Sequence, residues 1–174
     1  MMALHVTERN VVRRHAGPGG WRVTLVERPD GLANVSTIRG VTRVFVADCP
    51  APDATQSSCF AAAECTPEGD ALVLSHQAPP ALLISDHGHR RAPSVPGVDE
   101  LIRIEPDEVL LLLSSAVFED MPQLLARVLH GHAEELLAAD PGMFLTEIFD
   151  ETGSGAGAMI SHMPTFTHLN GGQE

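Results

Sequence analysis

Apolar and polar positions alternate with a period of two over most of the first two thirds of the chain, which predicts strands. In GWRVTLVERPDG, Trp21, Val23 and Leu25 alternate with Arg22 and Thr24 up to a Pro29-Asp30-Gly31 turn, and LANVSTIRG is the expected hairpin partner. VTRVFVADCPAPD predicts a third strand that stops at prolines. SSCFAAAECTPEGD and ALVLSHQ form a hairpin through Pro67-Glu68-Gly69-Asp70, and a short strand follows the Pro79-Pro80 break. DELIRIEPDEVLLLLSS predicts one more strand pair around Pro106-Asp107.

The period then lengthens. Met121, Leu124, Leu125, Val128, Leu129, His132, Leu136 and Leu137 fall on one helical face, with Asp120 placed to cap it and Pro122 in its first turn. A second helix is expected over roughly 141–149, and SGAGAMISHM reads as a closing strand. Many strands followed by helices predict an α+β sandwich and not an alternating Rossmann-type fold. The expected organisation is one domain over residues 1–163 and a polar tail over 164–174.

Composition narrows the functions. With 44% hydrophobic residues in 174 positions, the chain can bury one core of ordinary size. Every basic residue is an arginine, which excludes Schiff-base lysine chemistry and a phosphate-loop lysine. A formal net charge of −12 opposes nucleic-acid phosphates and anionic membrane surfaces, so neither is an expected partner. The longest apolar run, around Leu110–Leu113, is far too short to span a bilayer. No charged segment followed by an apolar one opens the chain, and a cytoplasmic location is expected. Cys49, Cys59 and Cys65 are odd in number and lack CxxC spacing, so buried thiols are expected.

The order of motifs resembles a known family. TPEGDALVLSHQAPPALLISDHG, IEPDEVLLLLSSAVFED and GPGGWRVTLVERPDGLANVSTIRG are similar to successive segments of the bacterial SpoIIE-type metal-dependent phosphatases, within the protein phosphatase 2C superfamily. The resemblance runs from about Gly17 to about Met163 and implies a phosphatase 2C-like β-sandwich with C-terminal helices. In that family, aspartates hold two manganese or magnesium ions that activate a water for attack on a phosphoester. None of those aspartates has a counterpart here. Trp21 directly follows Gly19-Gly20, where the family has an aspartate. Thr37 stands for the aspartate of DVrGhG, of which Gly40 alone is kept. Ser115 stands for the aspartate of TDG, and the late aspartate pair falls near Gly155 and Ala156. The resemblance therefore implies a domain without its metal centre, acting as a regulatory or scaffolding protein-binding module with no cofactor. The chain is also short between Gly40 and Ser58, where the family has room for two helices. One helical layer is then missing, and the bare sheet face predicts a homodimer or a partner protein.

Rival sites carry rival functions. Ser114 and Ser115 end an apolar strand, but GxSxG is absent, and strand-end hydroxyls more commonly bond backbone. Asp86, His87 and His89 in DHGHRR are the alternative metal ligands, which would make the chain a divergent manganese- or magnesium-dependent phosphohydrolase. The same residues suit a hairpin turn. His130 and His132, in the second His-Gly-His, lie on different helical faces. His76 is expected to stabilise a turn. Asp48 and Asp53, and Asp99 and Glu100, are expected to be turn acids. A third possibility is a structural subunit of a homo-oligomeric assembly.

Overall fold

The computed structural model describes residues 10–48, 59–114, 140–152 and 155–164. The helix predicted from Met121, its cap Asp120, the tail, Cys49, Asp53, Ser115, His130 and His132 lie outside the described residues.

Eleven strands are described: β1 (Val11–Gly17), β2 (Trp21–Glu27), β3 (Gly31–Ile38), β4 (Val41–Asp48), β5 (Phe60–Cys65), β6 (Asp70–His76), β7 (Ala81–Ser85), β8 (Gly88–Ala92), β9 (Glu100–Arg103), β10 (Val109–Leu113) and β11 (Ala156–His162). One helix, α1 (Pro141–Thr152), precedes β11. The first sheet has the order β1-β2-β11-β10-β7-β8 and the second β3-β4-β5-β6-β9. All neighbouring strands pair antiparallel.

Strand periodicity decides what lies between the sheets. Trp21, Val23 and Leu25 of β2, Leu110 and Leu112 of β10, and Ala158 and Ile160 of β11 point inward. They meet Val44, Val46, Ala61, Ala63, Ala71, Val73 and Ile102 of the second sheet. The small inward residues of β5 and β6 let the sheets approach closely. On the other side of the first sheet, Val26, Leu111, Leu113 and Met159 form a second apolar layer under Leu145, Ile148 and Phe149 of α1. Gly157 is where that helix presses closest, since a Cβ there would touch the Phe149 ring.

Two predicted pairings are corrected. β2 and β3 are not hairpin partners: Pro29-Asp30-Gly31 carries the chain from one sheet to the other. Pro106-Asp107 does the same between β9 and β10. Both segments have turn composition, but the inward faces on either side must cover each other, and that requires facing sheets. β3 pairs with β4 through Arg39 and Gly40, both left-handed (φ 52° and 80°), as a two-residue hairpin turn demands. The β5–β6 hairpin, the strand after Pro79-Pro80, the closing strand and the helix at 141 match the sequence reading. β1 and β8 were not expected.

Asp140 caps α1. Its Oδ1 accepts from the Gly142 and Met143 backbone N–H groups (2.8 and 3.1 Å) and from the Arg14 guanidinium (3.1 Å). The Met143 N–H bond, with help from Arg14 and the Gly142 N–H, holds the carboxyl below its ordinary value. The unfolded state therefore takes up the proton first. The capping contribution is complete above about pH 4 and is lost as pH falls through the lower native value. In chemical denaturation, Asp140→Ala should be less stable than wild type at neutral pH, with the gap closing in this acidic window.

Trp21 has no solvent exposure, and its Nε1–H donates to the Thr66 carbonyl of the facing sheet's β5–β6 turn (2.6 Å). Trp21→Phe removes one of the two donors to that carbonyl, which keeps the Gly69 N–H (3.1 Å), and should cost about 0.5–1.5 kcal/mol beyond the lost ring volume. Urea unfolding followed by circular dichroism measures this, because the substitution removes the single tryptophan.

Candidate functional site

The positions that resemble the family's metal site separate into two groups at opposite ends of the sandwich. β11 runs antiparallel to β2, with His162 opposite Trp21 and Ala156 opposite Glu27. Seven-residue strands rise about 20 Å. Trp21, Thr37 and Gly40 therefore lie at one end, while Gly155 and Ala156 lie at the other beside Ser114. No single site contains all of them. The motif order in the sequence conceals this, because it carries no information about the direction of β10 and β11 relative to β2.

The tryptophan end is packed shut. The His162 ring lies 4.5 Å from the Trp21 ring, and its Nε2 is 2.8 Å from the Gly19 carbonyl. The Met163 N–H donates to the Gly20 carbonyl. Gly20 is left-handed (φ 91°), and a Cβ there would run into the Met163 carbonyl, so only glycine fits before Trp21. Thr37 Oγ1 stands 3.1 Å from His15 Nε2 and 3.2 Å from the fully buried Thr42 Oγ1. Thr37 is thus one link in a short polar chain across the sheet edge.

The serine end is built from backbone anchors. Ser114 is 2% exposed; its N–H donates to the Ala156 carbonyl, and its Oγ accepts from the Ala156 N–H at 3.0 Å. Asp30 Oδ1 accepts from the Gly155 N–H at 2.9 Å, and the Gly155 carbonyl accepts from the Arg28 N–H. One hydroxyl and one carboxylate together clamp Ala156, the first residue of β11, and Gly155 just before it. Glu27 is close by, holding Arg13 (3.2 Å) and the Ala33 N–H (3.0 Å). Sequence reasoning took Asp30 only as a turn residue; its partner is 125 positions away, which no local signal announces. Asp48 ends β4 at this same end, opposite Gly31.

Asp86 and His87 form the tip of the β7–β8 hairpin, where Ser85 pairs with Gly88. His87 Nε2 lies 3.4 Å from Asp86 Oδ1, and the His87 side chain is 88% exposed. His89 follows on β8, opposite Ile84. Among the described residues no group of three or more His, Cys, Asp or Glu is placed to hold a metal ion. The described residues therefore do not fit the two-metal centre that the resemblance implies, at either end of the sandwich or at this turn. His76 ends β6 with its ring 5.8 Å from Phe60, while the adjacent turn is held by Ser75 Oγ on the Ala78 carbonyl (2.7 Å). Cys65 is buried among the core residues, and burial pushes its thiol up to about 12, which leaves it unreactive. Cys59 is half-buried.

No family model and no curated protein matches the sequence. Among solved structures, the chain is similar to the crystal structure of the RsbU and RsbW domains of Rv1364c from Mycobacterium tuberculosis. The TM-score is 0.59 and the identity 11%, over 93% of this chain. The match covers 65% of that chain's length. At this identity the likeness is one of fold: a β-sandwich of two antiparallel sheets, consistent with the phosphatase 2C-like architecture that the sequence resemblance implies. No helix among the described residues is long and apolar enough to cross a membrane.

If Ser114 is an anchor, Ser114→Ala orphans the buried Ala156 N–H. Stability should fall by about 1–3 kcal/mol in urea titration.

Proposed function

We propose that this chain is a regulatory, phosphatase 2C-like module that binds a partner protein and does not hydrolyse phosphoesters. The observation that carries the reading is the use made of Ser114 and Asp30. Ser114 Oγ and Asp30 Oδ1, at the start of β11, accept from backbone N–H groups. Likeness to a chain made of RsbU and RsbW domains supports a regulatory or partner-switching setting. The divergent-hydrolase reading loses support, because Asp86 and His87 project from an exposed hairpin tip without a third ligand among the described residues.

In this reading the chain lacks one helical layer, and the outer face of the second sheet is the binding surface. Leu32, Ile38 and Leu101 are 42%, 69% and 68% exposed. Between them run the partly covered Phe45, Phe60, Leu72 and Leu74, which share their face by register. The occupant is a second copy. Charged residues on that face are already paired across strands, Arg43 with Glu64 (3.6 Å) and Arg103 with Asp70 (3.4 Å). Two copies of an acidic chain can therefore meet there without opposing unpaired like charges.

The decisive assay uses chelator-stripped protein resupplied with manganese or magnesium. p-Nitrophenyl phosphate and a phosphoserine peptide should remain intact, and calorimetric titration should show no saturable manganese binding. Metal-dependent turnover would overturn the reading. Light scattering should return twice the chain mass for wild type and the single mass for Leu101→Arg; a monomeric wild type would exclude the second copy as occupant.

A further inference from the structure

We infer that the outer face of the first sheet carries a binding site for a small carboxylate with a compact apolar body, separate from both ends of the sandwich. Two adjacent cross-strand rows build it. In one, Ala16 lies opposite Arg22, Arg22 opposite Ser161, and Ser161 opposite Val109. In the next, Arg14 lies opposite Thr24 and Thr24 opposite Met159. Pro141, at the start of α1, stands over them, and the half-open groove they form has a volume of about 460 Å³. That is within the usual range for small-molecule sites.

Its polar groups are uneven in a way that points to a ligand. Thr24 is only 8% exposed, yet its hydroxyl has no partner among the described residues. A buried hydroxyl without a partner is costly, and such groups are normally satisfied. Arg22 is exposed to solvent and, like Arg39 and Arg91, has no hydrogen bond or ion pair among the described residues; of these three arginines, Arg22 is the one that lines this groove. Arg14 also lines the groove, but its charge is balanced by Asp140, which is itself engaged by the first N–H groups of α1. The helix end is thus occupied by its own cap, and one uncompensated positive charge is left, that of Arg22.

One charge selects the ligand. A carboxylate matches a single guanidinium bidentately and leaves an oxygen lone pair for the hydroxyls of Thr24 and Ser161. A phosphate dianion would bring a second negative charge with no counterpart, into a chain already at −12. Ala16, Val109, Met159 and Pro141 supply the apolar surface for the rest of the molecule. The same chemistry occurs in a free organic acid and in the C-terminal carboxylate of a peptide ending in leucine.

The test is an amide NMR titration of the full chain with 4-methylpentanoate, its neutral amide, and a leucine-terminated tripeptide in acid and amide forms. Saturable shifts at Arg22, Thr24 and Ser161 are expected from an acid and not from its amide, and the acid that binds more tightly identifies the source. Arg22→Ala should weaken binding by about tenfold or more. Thr24→Val should weaken it severalfold while raising the thermal midpoint of the ligand-free protein, because it removes the unpaired hydroxyl. This opposite movement of stability and affinity is not expected from a merely structural threonine. No saturable shift from either acid at about 10 mM, or unchanged affinity in a folded Arg22→Ala variant, would overturn the proposal.

Discussion

Strands β10 and β11 are covered on both faces, and the rest of the architecture is arranged around that requirement. Leu110 and Leu112 face the second sheet while Leu111 and Leu113 face α1, so a run of four leucines is what the position needs. β11 meets the same demand with smaller residues. Gly157 admits the Phe149 ring, and Ala156 and Ala158 leave room inside for the facing sheet. The other strands of the first sheet are less buried the farther they lie from this pair. β2 keeps its inner face and part of its outer one, and β1, at the edge, is exposed along most of its length.

That gradient explains how far the sequence could be read. Strands with one buried face, such as β4, β5 and β6, show their alternation plainly, and the reverse turns joining the last two are local. β1 was invisible because VVRRHAG is largely exposed and carries no inward–outward alternation. The two connections read as hairpins failed for a different reason. Pro-Asp-Gly has the same composition whether the chain turns back within a sheet or crosses to the one facing it. The deciding fact is which apolar faces must meet, and that belongs to the whole molecule.

The candidate site depends on strand direction, which motif order does not carry. Motif order placed Trp21 and Thr37 with Ser115, Gly155 and Ala156, whereas strand direction places the first two at the far end from the Gly155–Ala156 pair. What was legible was Ser114: a strand-end hydroxyl expected to bond backbone does so, to the Ala156 N–H. What was not legible was everything that depends on residues distant in sequence, including Asp30 on Gly155 and the rows that gather Arg22, Thr24 and Ser161. Each side chain looks ordinary on its own strand, and only the strand order makes neighbours of them.

The sheet order bears on which surfaces of such a β-rich chain another copy can approach. The two margins of the first sheet are β1 and β8, and each presents an adjacent arginine pair, Arg13-Arg14 and Arg90-Arg91. A strand margin offers unsatisfied N–H and C=O groups that invite another strand to add on. Copies joining margin to margin in a register that brings these pairs together would set arginine beside arginine. Like charges directly across a ladder are repelled where their own carboxylates, Glu27, Asp140 and Glu100, do not offset them. Four of the chain's 11 basic residues thus guard two borders, in a molecule whose surface is otherwise acidic. Ribbon-like polymerisation of the first sheet in such registers is opposed by charge, and copies that associate are steered toward stacking flat faces instead.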